Sequence, residues 1–202
     1  MLIEFIGVDG AGKTTQAKKL KTYIQTITRK KVHVVHGYKP YKYTSELNVL
    51  CEKKFKEDIL STTLCSYLYL LDAIDVFNSN IEPYLKSGDI VITDKYINSS
   101  LVYAPILGCD KKIIKQFVES FCFPDLIIFL DISPCVAYER VKNRGKELQK
   151  KESIEIMTLA NEAFRRICNN KSIIINANDK PEKVHDNIIK KIKGMFDNEL
   201  QL

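Results

Sequence analysis

Hydrophobic and polar positions along this chain follow two alternating patterns. Short, nearly continuous apolar runs occur at Leu2–Val8 (broken by Glu4 and ending on glycine), Val32–Val35, Asp89–Asp94, Asp125–Ile132 and Ser172–Ile175. Runs of this length, rich in β-branched residues and bounded by glycine, proline or charge, predict buried strands. Between them apolar residues recur three or four apart, the spacing of one helix face. Thr14–Thr28 shows it with Ala17, Leu20, Ile24 and Ile27. Further helices are expected over Ser45–Phe55, Ile59–Leu85, Ser99–Ile106, Lys111–Phe121, Pro134–Arg144, Glu152–Cys168 and Pro181–Phe196. Gly88 stops the longest of these, and Pro124 precedes the most hydrophobic strand. Gly37–Tyr43, rich in Tyr, Lys and Pro, reads as a loop, and Gly145–Lys151 as a polar, charged connection.

Five strands alternating with helices predict an α/β fold. Continuous apolar strands belong in a parallel sheet covered on both faces, so three layers are expected. With 202 residues, no internal repeat and no low-complexity linker, the chain reads as one domain spanning 1–202. The net charge of +6 suits polyanionic small molecules as well as nucleic acid. The lysines are spread through helical stretches rather than gathered in one tail, so nucleic acid is not expected as a partner. The longest apolar runs fall well short of the roughly 20 residues of a membrane span. Six cysteines (51, 65, 109, 122, 135, 168) show no CxxC spacing and follow no signal peptide. Reduced, mostly buried thiols in a cytoplasmic protein are expected. His33, His36 and His185 are too dispersed to suggest a metal site.

The chemistry is concentrated at Gly7-Val8-Asp9-Gly10-Ala11-Gly12-Lys13-Thr14, which matches G-x-x-x-x-G-K-[ST] without deviation. Glycines let the backbone approach phosphate closely, and successive N–H groups form an anion nest at a helix N-terminus. Lys13 supplies a cation for β- and γ-phosphates, and Thr14 a hydroxyl for Mg²⁺. The motif follows a predicted strand and opens a predicted helix, which is the context a phosphate-binding loop requires. An Asn-Lys-x-Asp base-reading element, expected of a GTPase, is missing. The chain is also short for a motor or transporter ATPase. A short chain with a charged, lid-like segment suits a small-molecule kinase.

Three segments carry a family resemblance. Phe5-Ile6-Gly7-Val8-Asp9-Gly10-Ala11-Gly12-Lys13-Thr14-Thr15-Gln16 resembles the opening of thymidylate kinases. Asp94-Lys95-Tyr96-Ile97-Asn98-Ser99-Ser100-Leu101-Val102-Tyr103 resembles that family's second signature, and Pro124–Asp131 its Lys-Pro-Asp strand. Arg140 and Arg144 precede a polar segment similar to the family's lid, at about 144–152. The resemblance implies a P-loop NTPase fold, MgATP as donor, a nucleoside monophosphate as acceptor and a homodimer. It implies that Gly7–Thr15, including Val8, Ala11 and Thr15, hold the donor. Thr14, Asp9 and Asp94 would serve the metal. Asp9, Lys13, Lys95, Arg140 and Arg144 would act on the phosphoryl group. Tyr38, Lys39, Asp94, Lys95, Ser99, Ser100 and Tyr103 would meet the acceptor, with Tyr103 under the deoxyribose. Read from the residues alone, Asp94 could instead cap the following helix and Tyr103 could be a core tyrosine. Tyr67 and Tyr69, with Leu64, Leu68 and Leu71, read first as a core stripe, with Tyr69 a further candidate for touching the acceptor base.

The chain departs from the family pattern in three places. Lys95 stands where the family has arginine, keeping the charge without the bidentate fork. Leu71-Asp72-Ala73 stands where a helix arginine would read thymine, and the lid segment has no Asp-Arg-x-Glu. dTMP is therefore the first expectation for the acceptor, another nucleotide-like acceptor the second, and a nucleotide sensor of low turnover the third. Arg140 and Arg144 could equally be a solvated helix face. Asn176–Lys180 could be an ordinary turn, and Arg165 and Arg166 read as surface residues.

Overall fold

The computed structural model describes residues 1–37, 59–145 and 148–196. Five strands, β1 (Leu2–Ile6), β2 (Val32–Val35), β3 (Ile90–Thr93), β4 (Leu126–Asp131) and β5 (Ser172–Asn176), form one sheet in the order β2-β3-β1-β4-β5. Every pairing is parallel. The three inner strands are buried almost throughout, whereas β2 and β5 at the edges are only partly buried. That difference explains why β1, β3 and β4 read as continuous apolar runs.

Eight helices are described: α1 (Lys13–Ile27), α2 (Ile59–Val76), α3 (Glu82–Lys86), α4 (Ile97–Ile106), α5 (Lys111–Val118), α6 (Pro134–Lys142), α7 (Ile154–Ile167) and α8 (Pro181–Phe196). Two hydrophobic clusters flank the sheet. One joins β1 and β4 to α1, α7 and α8 through Leu20, Ile24, Phe129, Phe164 and Ile188. The other gathers Leu70, Ile81, Tyr96, Ile114 and Phe121 around α2, α4 and α5. The three layers expected from the alternation are present.

The long helix expected over Ile59–Leu85 is interrupted. A π-helical turn occupies Phe77–Ile81 and α3 resumes at Glu82. Pro83 has no N–H for the carbonyl four residues back and its ring crowds that turn, so an α-helical ladder cannot run through unbroken. The cysteine expectation also needs correction. All four described thiols are free, but only Cys109 is buried, while Cys122 and Cys135 are exposed and Cys168 is intermediate. Cys122, in the connection before β4, and Cys135, in the first turn of α6, stand where no described element covers them, and Cys168 packs only its edge against the core. The helix expected at Ser45–Phe55 lies outside the described residues. Among the described residues no helix is long and apolar enough to cross a membrane.

The order β2-β3-β1-β4-β5 places β1 at the centre, and the connection leaving its carboxyl end carries the Gly7–Thr14 loop. Open parallel sheets bind ligands at this edge. Asp94 follows β3 on one side of the loop, and the turn after β5 lies on the other.

Candidate active site

The phosphate loop is shaped by two close approaches. Gly10 has φ 88°, and a Cβ there would stand 2.4 Å from the Ala137 carbonyl oxygen, so glycine alone lets the loop lie against α6. Gly12 at φ 94° supplies the left-handed turn that opens α1. Lys13 folds back over the loop and donates to the carbonyls of Gly7 and Val8, each at 2.8 Å. Its ammonium is buried, and burial pushes its pKa down to about 8 although Asp9 opposes the shift.

Asp94, at the carboxyl end of β3, is 1% exposed and accepts hydrogen bonds from the Thr14 hydroxyl and from His36. Burial raises its pKa, but these two bonds together with the charges of His36 and Lys13 outweigh burial and leave the carboxyl below its ordinary range. Lys95 adopts φ 148°, the one positive value for a non-glycine residue among those described. Such a conformation costs about 1–3 kcal/mol and persists only where the surroundings impose it. They do so here: a Cβ on Gly37 would come within 1.6 Å of the Lys95 carbonyl oxygen, so the two backbones are in direct contact.

The strained turn aims the Lys95 ammonium at Asp9. Asp9 Oδ1 receives Lys95 at 3.0 Å and Lys13 at 3.6 Å, while Oδ2 faces Lys151 at 3.5 Å. Burial pushes the Asp9 carboxyl up, but the charges of Lys95, Lys13 and Lys151 prevail and hold it far below the usual carboxylate range. Asp9 is thus a fixed anion within a cage of three lysines. The Lys151 ammonium is pushed down by burial and by Lys95, with Asp9 pulling the other way.

Two cavities flank this cage. The first, about 260 Å³, is lined by His36, Ser66, Tyr69, Lys95, Ser99, Ser100, Tyr103, Ala104, Leu107, Gln149 and Lys151. Tyr69, Lys95, Ser99, Ser100 and Tyr103, expected at the acceptor, therefore share one wall. Tyr103 stacks edge-on against Phe164 at 5.8 Å between ring centres. Its hydroxyl lies by the Asp9 main chain without a well-formed hydrogen bond, and burial together with the Asp9 charge keeps the phenol protonated. Tyr38 and Lys39 lie outside the described residues.

The second cavity is lined by Gly10, Ala11, Gly12, Thr15, Gln16, Arg140, Arg144 and the Ala177–Pro181 turn with Val184. Arg140 is tied down here. Its guanidinium donates to the carbonyls of Ala177 (3.0 Å), Asn178 (3.1 Å) and Asp179 (3.1 Å), and more weakly to Gly10 (3.5 Å). It clamps the phosphate loop to the turn after β5. The basic group that reaches Asp9 from the segment after α6 is Lys151, which sequence reasoning passed over. One lysine in a lysine-rich stretch carries no local mark. His36, Ser66 and Gln149, which line the first cavity, carry no local mark either, since their spacing matches no motif.

The oxygen donors suit a hard cation. Thr14 and Asp94 stand side by side in hydrogen-bond contact, a hydroxyl and a carboxylate of the kind Mg²⁺ takes. Asp9, crowded by three ammonium groups, fits that role less well. Among the described residues no group of three or more His, Cys, Asp or Glu side chains could hold a metal ion.

Comparison with known proteins agrees with this geometry. The thymidylate kinase family model matches residues 5–188. A probable thymidylate kinase of Archaeoglobus fulgidus is 32% identical, over 97% of this chain and 96% of its own. The thymidylate kinase of Buchnera aphidicola is 33% identical, over 92% of this chain and 91% of its own. That of Fervidobacterium nodosum is 28% identical, over 94% and 97% respectively. The crystal structure of thymidylate kinase from Ehrlichia chaffeensis shares the fold, with a TM-score of 0.67 at 23% identity, covering 95% of this chain and 98% of that one. A family match over nearly the whole length, carried on a five-stranded parallel sheet with an intact phosphate loop, establishes that the chain belongs to the thymidylate kinase family.

Proposed function

We propose that this protein transfers the γ-phosphoryl group of MgATP to dTMP, giving dTDP and ADP. The observation that carries the reading is the lysine cage. Asp9 is bridged by Lys95 and Lys151 from the first cavity and is followed directly by Gly10, which lines the second. One cavity would hold the acceptor and the other the donor, and the reacting phosphates would meet beside Asp9.

In this reading Gly7–Thr15 cradle the triphosphate through backbone N–H groups and the Lys13 ammonium. Arg140 and Arg144 border the donor's far end. A phosphate oxygen of dTMP, already anionic, attacks the γ-phosphorus in line, and the bond to ADP's terminal oxygen breaks. Such a transfer needs positioning and charge neutralisation more than covalent chemistry. Lys13, Lys95 and Lys151 supply that neutralisation, in place of the arginine forks usual in the family. Thr14 and Asp94 would hold Mg²⁺, which adds charge compensation between the donor's phosphates when bound. Tyr103 forms the floor under the sugar, and Tyr69 with the Ser66, Ser99 and Ser100 hydroxyls borders the base. Ala73 is buried and adds no donor at the position of the family's base-reading arginine.

The same reading makes the chain one catalytic domain of a cytoplasmic enzyme that acts on free nucleotides, with neither nucleic acid nor membrane as a partner. It acts as a homodimer, for which the partly exposed Leu71 and Ile74 on α2 offer an apolar face. Sedimentation at several concentrations tests the dimer: a monomer throughout would remove it.

The activity is tested by ADP release from MgATP with dTMP, dUMP, UMP, CMP, dGMP or AMP as acceptor. A strong preference for dTMP is expected. Turnover of another acceptor with none of dTMP would overturn the assignment.

A further inference from the structure

Glu4 lies in the middle of β1, the central strand, among Leu2, Ile3, Phe5 and Ile6. It is fully buried. A carboxyl group in such a place is costly unless it is hydrogen-bonded. Its Oε1 accepts from the Tyr96 main-chain N–H at 3.1 Å, and its Oε2 from the Asn98 side-chain amide at 2.7 Å. Both partners lie just beyond the strained turn that carries Asp94 and Lys95. On the near side of that turn, Thr93 pairs in register with Glu4 itself.

Glu4 therefore grips the turn from both ends. The β1–β3 ladder holds Thr93, and the Glu4 carboxyl holds Tyr96 and the first turn of α4. Between these anchors stands Lys95 at φ 148°, with Gly37 packed on its carbonyl. A residue in this conformation relaxes once one end is released. Relaxation would swing the Lys95 ammonium, now 3.0 Å from Asp9, out of the cage. Glu4 lines neither cavity, so any effect it has on the reaction passes through the turn and through the start of α4, whose Asn98 and Ser99 main-chain N–H groups also face its carboxyl.

We infer that Glu4 is a positioning residue for the acceptor side of the site: it holds the Asp94–Tyr96 turn in its strained form and so fixes Lys95 against Asp9. The inference rests on the reading that Lys95 meets the acceptor phosphate. A carboxyl that merely satisfied buried donors would affect stability and leave acceptor kinetics alone.

The test compares Glu4→Leu, which removes both acceptors at similar volume, with Glu4→Gln, which keeps one oxygen for the Tyr96 N–H. Expected for E4L is an ATP Kd within about twofold of wild type, a raised KM for dTMP and a kcat lowered roughly ten- to a hundredfold, as misplacement by about an ångström produces. E4Q should recover most of this loss. If E4L does not fold, Asn98→Ala, which removes the side-chain amide from Oε2, takes the same measurements and should shift dTMP parameters in the same direction. Unchanged dTMP kinetics with only a lower Tm would overturn the inference, as would a parallel loss of ATP and dTMP binding. Wild-type enzyme inactive on dTMP would defeat the functional reading instead. The Lys95–Asp9 separation in a crystal structure of E4L then decides, an unchanged 3.0 Å contact refuting the positioning role.

Discussion

The ammonium of Lys151, on the 3₁₀ turn before α7, lies 3.5 Å from Oδ2 of Asp9 in the phosphate loop. The two residues are 142 positions apart, and their contact completes the lysine cage at the second carboxylate oxygen, Lys95 meeting the first. Because Arg140 is committed to main-chain carbonyls, the position of a third lysine on Asp9 has direct consequences for transfer.

Replacing Lys151 by methionine should lower kcat roughly a hundred- to a thousandfold, the scale of losing one group that stabilises charge in a transition state. The KM for ATP should change little, because Gly7–Thr15 and Lys13 remain. Lys151→Arg should retain most activity, since it keeps the charge on a side chain of similar reach. Steady-state kinetics of the two variants check this, and equal losses in both would remove Lys151 from the transfer step.

The pKa of Lys13 predicts a pH limb. Burial brings its ammonium down to about 8 in the free protein, so it is charged below that pH and loses its charge as pH rises through it. The kcat/KM for ATP, which reports the free enzyme, should therefore fall above about pH 8. Bound phosphates favour the charged form and raise the pKa, so kcat should turn down only at higher pH. Initial rates from pH 6 to 10 at low and saturating ATP measure both limbs; a flat kcat/KM across pH 8 contradicts the assignment.

Gly37 leaves no room for a side chain, since a Cβ would overlap the Lys95 carbonyl oxygen at 1.6 Å. Gly37→Ala should push the Lys95 turn aside, destabilise the fold by roughly 1–3 kcal/mol as overpacking does, and raise the KM for dTMP. Urea denaturation alongside acceptor kinetics tests this. Wild-type values in both would show that the two backbones separate easily.

Arg140→Ala should release the Ala177–Asp179 turn from α6 and raise the KM for ATP roughly tenfold, the scale of losing charge-assisted hydrogen bonds. The KM for dTMP should hardly move, because Arg140 borders only the donor-side cavity. A selective loss on the acceptor side would instead place Arg140 among the groups that meet the transferring phosphoryl group.

Much of this architecture is legible without coordinates. The strand and helix runs differ in period, and each period is set by residues only a few positions apart, so the α/β alternation can be read locally. The phosphate loop is equally local: its glycines, Lys13 and Thr14 act within one turn of chain. Lys95, Ser99, Ser100 and Tyr103 follow from family resemblance and do share a cavity, and Tyr69, which reads first as part of a core stripe, lines it too. The π-helical turn at Phe77–Ile81 was missed because periodicity continues across it, although Pro83 was in plain view.

What the sequence alone determined is therefore the alternation, the anion nest at the end of the first strand and the family. Only the tertiary structure decided that Asp9 meets Lys95 and Lys151, that Asp94 accepts from His36, that Arg140 clamps the turn after β5, and that Glu4 grips the turn after β3. The physical reason is the sheet order. Placing β1 between β3 and β4 brings residues from distant parts of the chain to one edge, and no local spacing records which side chains then face each other.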